Sequence, residues 1–222
     1  MSDSIWGPVT VFTGDLRPLP PEGQMTGMYK TRCDSPVFCG PEGLEGDRQG
    51  DRRVHGGPDK AVHLYPATHY VRLTELMPSA QEPLLPGVLG ENLSVAGLDE
   101  AEVCIGDIFA LGDARLQVTQ PRRPCWKISH RLGVDQASRL VAEHGLTGWY
   151  FRVLQTGQIP PDANLTLQER PAPGMTLARL WAVEQAHRPA VEEMRRLAAA
   201  EGLAAQWAQR LSNRADWLER NG

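Results

Sequence analysis

Gln120-Pro121-Arg122-Arg123-Pro124-Cys125-Trp126-Lys127 is the densest grouping of reactive and charged residue types in the chain. A strand ends here, and two prolines restrict the backbone as it leaves. One thiol lies within two positions of Arg123 and Lys127. Nearby positive charge favours thiolate over thiol, and the thiolate is the nucleophile and the soft-metal ligand. Bases gathered on one loop also make a pocket for an anion such as a phosphate. The same residues describe equally well an inert thiol beside a solvated basic loop, so the segment alone leaves both readings open.

Two further segments carry possible chemistry. Gly43-Leu44-Glu45-Gly46-Asp47-Arg48 is followed by Val54-His55-Gly56-Gly57-Pro58-Asp59-Lys60. Paired glycines allow successive backbone N–H groups to turn toward one anion, and His55 beside Gly56 and Gly57 would bind or hydrogen-bond it. In Gly90-Glu91-Asn92-Leu93, the Asn92 amide both donates and accepts, which suits the edge of a heterocycle. Both segments are also ordinary turn sequences. A phosphate-binding G-x-x-x-x-G-K-[ST] loop, an H-E-x-x-H helix and a G-x-S-x-G elbow are absent from the sequence. Cys33, Cys39, Cys104 and Cys125 form no C-x-x-C pair and no zinc pattern.

The elements that must position these residues change character near residue 173. Of 22 glycines and 18 prolines, only Gly174, Pro189, Gly202 and Gly222 lie beyond it. Residues 1–173 read as short strands: 9–13, 27–31, 61–65, 92–95, 102–105, 108–111, 115–120, 150–154 and 163–167. Strands of this length, punctuated by Gly and Pro, predict a mainly β, α+β fold built on a closed barrel or sandwich. Two peripheral helices are expected at 66–76 and 135–144, the second capped by Asp135 and ended by Gly145. Beyond 173 the spacing is helical: a helix capped by Thr176, a second after Pro189 and a third from Leu203 to Leu218. The expected division is therefore 1–173 and a C-terminal three-helix segment, 174–222.

The charge balance narrows the partners. With 23 Lys plus Arg against 27 Asp plus Glu, the chain carries a formal net charge of −4. It has no excess positive charge with which to bind polyanions. No signal peptide and no run of about 20 apolar residues is visible. A cytoplasmic protein without membrane or nucleic-acid partners is expected. Leu197 to Leu203 has the spacing of a helix-turn-helix. Yet residues 203–219 carry Arg210 and Arg214 against Asp216 and Glu219, which is no basic recognition stripe. Of the 23 bases, only Lys30, Lys60 and Lys127 are lysines.

In order, Gly-Leu-Glu-Gly-Asp (43–47), Val-His-Gly-Gly-Pro-Asp-Lys-Ala (54–61), Gly-Glu-Asn-Leu (90–93), Ile-Gly-Asp (105–107), Gln-Pro-Arg-Arg-Pro-Cys (120–125) and Gly-Trp-Tyr-Phe-Arg-Val (148–153) resemble the MOSC-domain family. MOSC is the domain shared with the C-terminus of molybdenum cofactor sulfurases, and the likeness is to its YiiM-like branch. The resemblance spans nearly the whole chain. It implies a MOSC-type β-barrel (core motifs 43–167), a short helical tail and a site for the molybdenum cofactor, molybdopterin. It makes Cys125 the molybdenum ligand and catalytic residue, and Asn92 a contact to the pterin. Arg122, Arg123, Lys127, His55, Gly56 and Gly57 are the expected contacts to its phosphate and pterin edge. The implied activity is reduction of N-hydroxylated compounds, such as hydroxylaminopurine-type bases, to amines. Electrons would come from a separate flavin or iron–sulfur protein, because the chain has no nicotinamide or flavin fingerprint and no cluster-binding cysteine set. A cofactor carrier or sulfur-transfer protein is the alternative. The small bundle and its Trp residues make a homodimer an expectation.

Overall fold

The computed structural model describes residues 4–21, 23–50 and 56–221. His55 lies outside the described residues. Seven strands come first: β1 (Ile5–Trp6), β2 (Thr10–Thr13), β3 (Arg17–Leu19), β4 (Gln24–Thr26), β5 (Thr31–Arg32), β6 (Val37–Gly40) and β7 (Gly43–Leu44). A 3-10 turn at Pro58–Lys60 leads into β8 (Val62–Pro66), helix α1 (His69–Leu76), β9 (Leu93–Val95), β10 (Ile108–Leu111) and β11 (Ala114–Pro121). Helices α2 (Trp126–Leu132) and α3 (Ala137–Glu143) precede β12 (Trp149–Gln155), β13 (Gly157–Ile159) and β14 (Leu165–Glu169). The tail is α4 (Leu177–Gln185), α5 (Val191–Ala198) and α6 (Ala205–Asn221).

The fold is a mixed α+β one dominated by sheet, as its composition predicts. Nine strands form one sheet in the order β1-β14-β10-β11-β12-β8-β9-β2-β5. The expected closed barrel is not formed, since no ladder joins the two ends among the described residues. The sheet nevertheless curls strongly, for a covalent reason. Strands β1 and β2 belong to opposite ends of it, yet only Gly7, Pro8 and Val9 separate them. The chain from Trp6 to Thr10 can span roughly 14 Å at most.

Pairing is antiparallel throughout this sheet except between β8 and β9. A parallel pair needs a crossover, and α1 supplies it. Every residue of β8 and β9 is buried, which explains why 61–65 reads as a plain apolar run. One core packs Phe109, Trp149 and Phe151 together with tail residues Leu180, Met194, Leu197 and Leu211. A second packs Tyr65 with Tyr70, Leu73, Ile128, Leu132 and Val141 beneath α1, α2 and α3.

The tail begins as its sequence predicts: Thr176 Oγ1 accepts the Arg179 N–H at 3.2 Å. Other details differ. Gln136, not Asp135, is the residue before α3, and its side chain makes no capping bond. Helix α2 was unexpected, because seven residues with apolar side chains at 126, 128 and 132 show little periodicity. Residues 102–105 form a turn with a single bridge, Cys104 to Thr176. There the Asp107 carboxylate accepts the Cys104 N–H at 2.9 Å, competing with a ladder. Gly106, at φ +78°, also approaches the tail so closely that a Cβ would sit 2.2 Å from the Glu201 carbonyl oxygen. Residues 27–30, expected within a strand, leave the sheet, and Gly27, Met28 and Lys30 line the cleft described next. No helix among the described residues is long and apolar enough to cross a membrane.

Candidate functional site

The cleft forms where β11 ends. A bulge between Val118 and Gln120 shifts its register against β12, and bulges bend a strand and re-aim its side chains. Beyond Pro121 the Arg122 N–H still donates to the Gly148 carbonyl at 3.0 Å. Gly148, at φ +64°, allows that approach, since a Cβ there would meet the Leu64 carbonyl oxygen at 2.5 Å. Cys125 is extended (φ −116°, ψ 161°) at the head of α2, and its side chain makes no capping bond.

Opening at this point is a cleft with about 580 Å³ of space, counting its mouth. Strand ends contribute His63, Asn92, Arg122 and Tyr150, and loops contribute Met28, Lys30, Asp47, Arg48 and Lys60. Cys125 and Lys127 complete the wall. None of the lining residues comes from α4, α5 or α6. Five cations and one carboxylate, Asp47, thus line it among the described residues, although the exposed Arg48 also pairs with Asp15 at 3.6 Å.

The interactions show which of these charges are satisfied. Lys30 Nζ lies 2.6 Å from both Asp47 oxygens. Asp47 also accepts the Gly14 N–H at 3.0 Å and the Asn92 Nδ2–H at 2.9 Å. Burial pushes the Lys30 pKa down, and Asp47 only partly opposes this. Arg122 is buried, and its Nη1 has no hydrogen-bond partner among the described residues. The buried Glu91 carboxylate lies near enough to act on both Arg122 and Lys30, but a buried donor left unmade is costly, so the pocket favours an incoming anion. Tyr150 is pushed up by burial, with Arg122 pulling the other way. His63, whose ring centre is 5.1 Å from that of Tyr150, is driven well below 6.5 by burial, then by Arg122 and Lys30. It is neutral at pH 7, and its Nε2 has no hydrogen-bond partner among the described residues. Lys127 Nζ donates to the Met25 carbonyl at 3.0 Å, leaving two of its three N–H groups for a ligand.

The structure brings Cys125, Arg122, Lys127 and Asn92 into one cleft. It sends Arg123 elsewhere: the side chain is half exposed and pairs with Glu184 of α4 at 2.5 Å. Neighbouring side chains on extended backbone face opposite ways, so one of two adjacent arginines had to point outward. Asn92 lies at the cleft, but its amide already serves the framework. Oδ1 accepts the His63 N–H at 3.1 Å, while Nδ2 donates to Asp47 and to the Phe12 carbonyl. Gly56 and Gly57 are not on the lining. Gly57, at φ +94°, leads into the 3-10 turn that carries Lys60 to the wall. Sequence reasoning passed over Lys30, His63 and Tyr150, and held Asp47 and Lys60 only as members of glycine-rich segments without giving them a role. One signal was available, because all three lysines of the chain line this cleft.

A cofactor that carries its own metal-binding sulfurs fits this donor set. Among the described residues no three His, Cys, Asp or Glu side chains converge as a metal cage. A metal here would therefore be held mainly by its own ligand, with one protein thiol available from Cys125. The Arg122 donor and the lysines suit the phosphate.

Residues 51–166 match the MOSC domain. The chain belongs to the MOSC family. It is 42% identical over 195 residues to the Bacillus subtilis protein YflK, covering 88% of this chain and 84% of YflK. It is 36% identical over 208 residues to Escherichia coli YiiM, covering 93% and 92%. The crystal structure of that YiiM superimposes with a TM-score of 0.80 over 96% of this chain and 93% of the other. A Gibberella moniliformis protein named Reductase is 37% identical over 166 residues, which are 74% of this chain but 29% of that protein. MOSC membership places the chain in a molybdenum-cofactor-related family.

Proposed function

We propose that this MOSC protein binds the molybdenum cofactor in the Cys125 cleft and reduces N-hydroxylated small molecules to amines with electrons from a separate flavin or iron–sulfur protein. The observation that carries the reading is one thiol in a cleft lined, among the described residues, by five cations and one carboxylate, where buried Arg122 keeps a donor without a partner. The fungal relative named Reductase lends support, since the stretch shared with this chain is under a third of its length. The remainder of such a protein has room for an electron-donating part, which this chain would have to find in a partner.

The cofactor, when bound, supplies the two-electron step of R–NHOH + 2e⁻ + 2H⁺ → R–NH₂ + H₂O. The chain's own residues bind and orient. Cys125 Sγ ligates the metal. Arg122, Lys60 and Lys127 hold the phosphate and pterin edge. Lys30 keeps one N–H beyond its two bonds to Asp47, and neutral His63 leaves the charge of the pocket to the lysines and Arg122. Asn92 acts through Asp47 and the His63 backbone rather than on the ligand.

Cys125→Ser, made in a host able to synthesise the cofactor, should lose molybdenum and all hydroxylamine reduction while keeping its melting temperature. Full molybdenum content in that variant would refute the ligand assignment. A carrier or sulfur-transfer protein, the reading closer to the family's sulfurase namesake, predicts normal loading but no turnover with any competent donor.

A further inference from the structure

The tail contributes nothing to the cleft lining, yet the segment carrying Cys125 is fastened to it at consecutive points. Thr119 is the residue that the β11–β12 ladder skips. Its carbonyl oxygen accepts the Ala204 N–H at 3.0 Å, at the entry to α6. Four residues on, Arg123 Nη2 lies 2.5 Å from Glu184 Oε1, and its guanidinium sits 5.8 Å from the centre of the Trp207 ring. Glu184 is itself immobilised. Its side chain is only 6% exposed, and Arg210 binds its two oxygens at 2.7 and 3.1 Å. Trp207 is buried in the core shared with the sheet.

Between these anchors and the cleft there is little slack. Arg122 points inward, Arg123 outward, and Pro121 and Pro124 flank the pair with restricted φ. Fixing Arg123 from outside therefore fixes where Arg122 and Cys125 lie inside.

We propose that the helical tail positions the cysteine loop, with Glu184 acting through Arg123 to set the placement of the Cys125 thiol and the Arg122 guanidinium. Glu184 is a positioning residue and touches no ligand. Only the consequence for molybdenum rests on the reading of Cys125 as its ligand.

The test uses the full chain and two readouts. In cofactor-free protein, the rate of Cys125 alkylation by iodoacetamide is followed by peptide mass spectrometry, with Cys33, Cys39 and Cys104 as internal references. Glu184→Gln and Arg123→Met should each change the Cys125 rate severalfold and leave the other three unchanged. The double variant should be no worse than either single one, as expected for one shared contact. Arg195→Met, which breaks a tail pair with Asp216 and Glu219, should leave Cys125 unaffected. In protein loaded in the cell, molybdenum retention on dialysis should fall about tenfold in the first two variants, the lower end for losing a residue that orients a metal ligand. Glu184→Asp should restore part of it. An unchanged Cys125 rate in folded Glu184→Gln and Arg123→Met would overturn the proposal, and Arg123→Met tests the contact even if the Glu184 variant fails to fold. Altered alkylation together with full molybdenum content in Cys125→Ser would support the positioning role and reject the ligand reading instead.

Discussion

The cleft and the helical tail are both rich in cations and treat them in opposite ways. In the tail, Arg179 pairs with Glu193, Arg195 with Asp216 and Glu219, and Arg210 with Glu184. Arg214 spreads over the carbonyls of Val183, Glu184 and Ala186 where α4 ends, a usual way to satisfy the last carbonyls of a helix. In the cleft, Lys30 pairs with Asp47, the one lining carboxylate among the described residues, and buried Arg122 keeps a donor without a partner there. Half-exposed pairs contribute little to stability either way, whereas a buried donor without a partner is a standing cost. The density of arginine is similar in the two regions; a buried arginine donor left without a partner is what marks the functional one.

The strongest test of this contrast asks whether the two regions are physically separable. Leu211 of α6 is fully buried in the core shared with the sheet. Leu211→Ala should cost about 2–5 kcal/mol and lower the stability of the whole molecule in one transition, as followed by urea unfolding with both tryptophan fluorescence and circular dichroism. Two separate transitions would make the tail an independent body.

A smaller effect is expected at the charges themselves. Arg122→Met should weaken cofactor retention by about 1.5–3 kcal/mol, the range for hydrogen bonds to charged groups. Arg179→Met, which removes a paired tail cation, should leave retention unchanged. Equal losses in the two variants would erase the distinction between the two arginines.

The smallest effect is a pH dependence. His63 is held neutral in the folded protein, with a pKa well below the 6.5 of the unfolded chain. Below pH 6.5 the unfolded state therefore binds a proton that the native state refuses. Stability from this group is complete above pH 6.5 and declines as pH falls toward the depressed folded value, by at most about 1.4 kcal/mol per unit. Urea midpoints between pH 7.5 and 5.5 should fall more steeply for the native protein than for His63→Gln. Parallel curves would mean that His63 titrates normally.

Much of the architecture was legible because it rests on local pattern. β11 announces itself by alternation and β10 by an apolar run ended at Gly112, and Thr176 caps α4 as its type suggests. Strands β1, β3, β4, β6, β7 and β13 were missed because two to four residues carry too little pattern to exceed a turn reading. Helix α2 was missed for the same reason, although it begins immediately after the most informative cysteine in the chain. In the site, Cys125, Arg122 and Lys127 lie in one short segment and could be grouped by eye. Lys30, Asp47, Lys60 and His63 come from separate loops and strands and become neighbours only through the curl of the sheet.

The sequence by itself determined the element types, the order of motifs that marks a MOSC protein and the one thiol placed among bases. Tertiary structure alone decided which of two adjacent arginines serves the cleft and which the tail. On extended backbone, facing alternates with every residue, so a single bulge at Thr119 reverses it. Nothing local to Arg122-Arg123 records where that bulge falls. The same packing turned Asn92 from a ligand contact into a framework clip, by placing Asp47 and the His63 backbone within reach of its amide first.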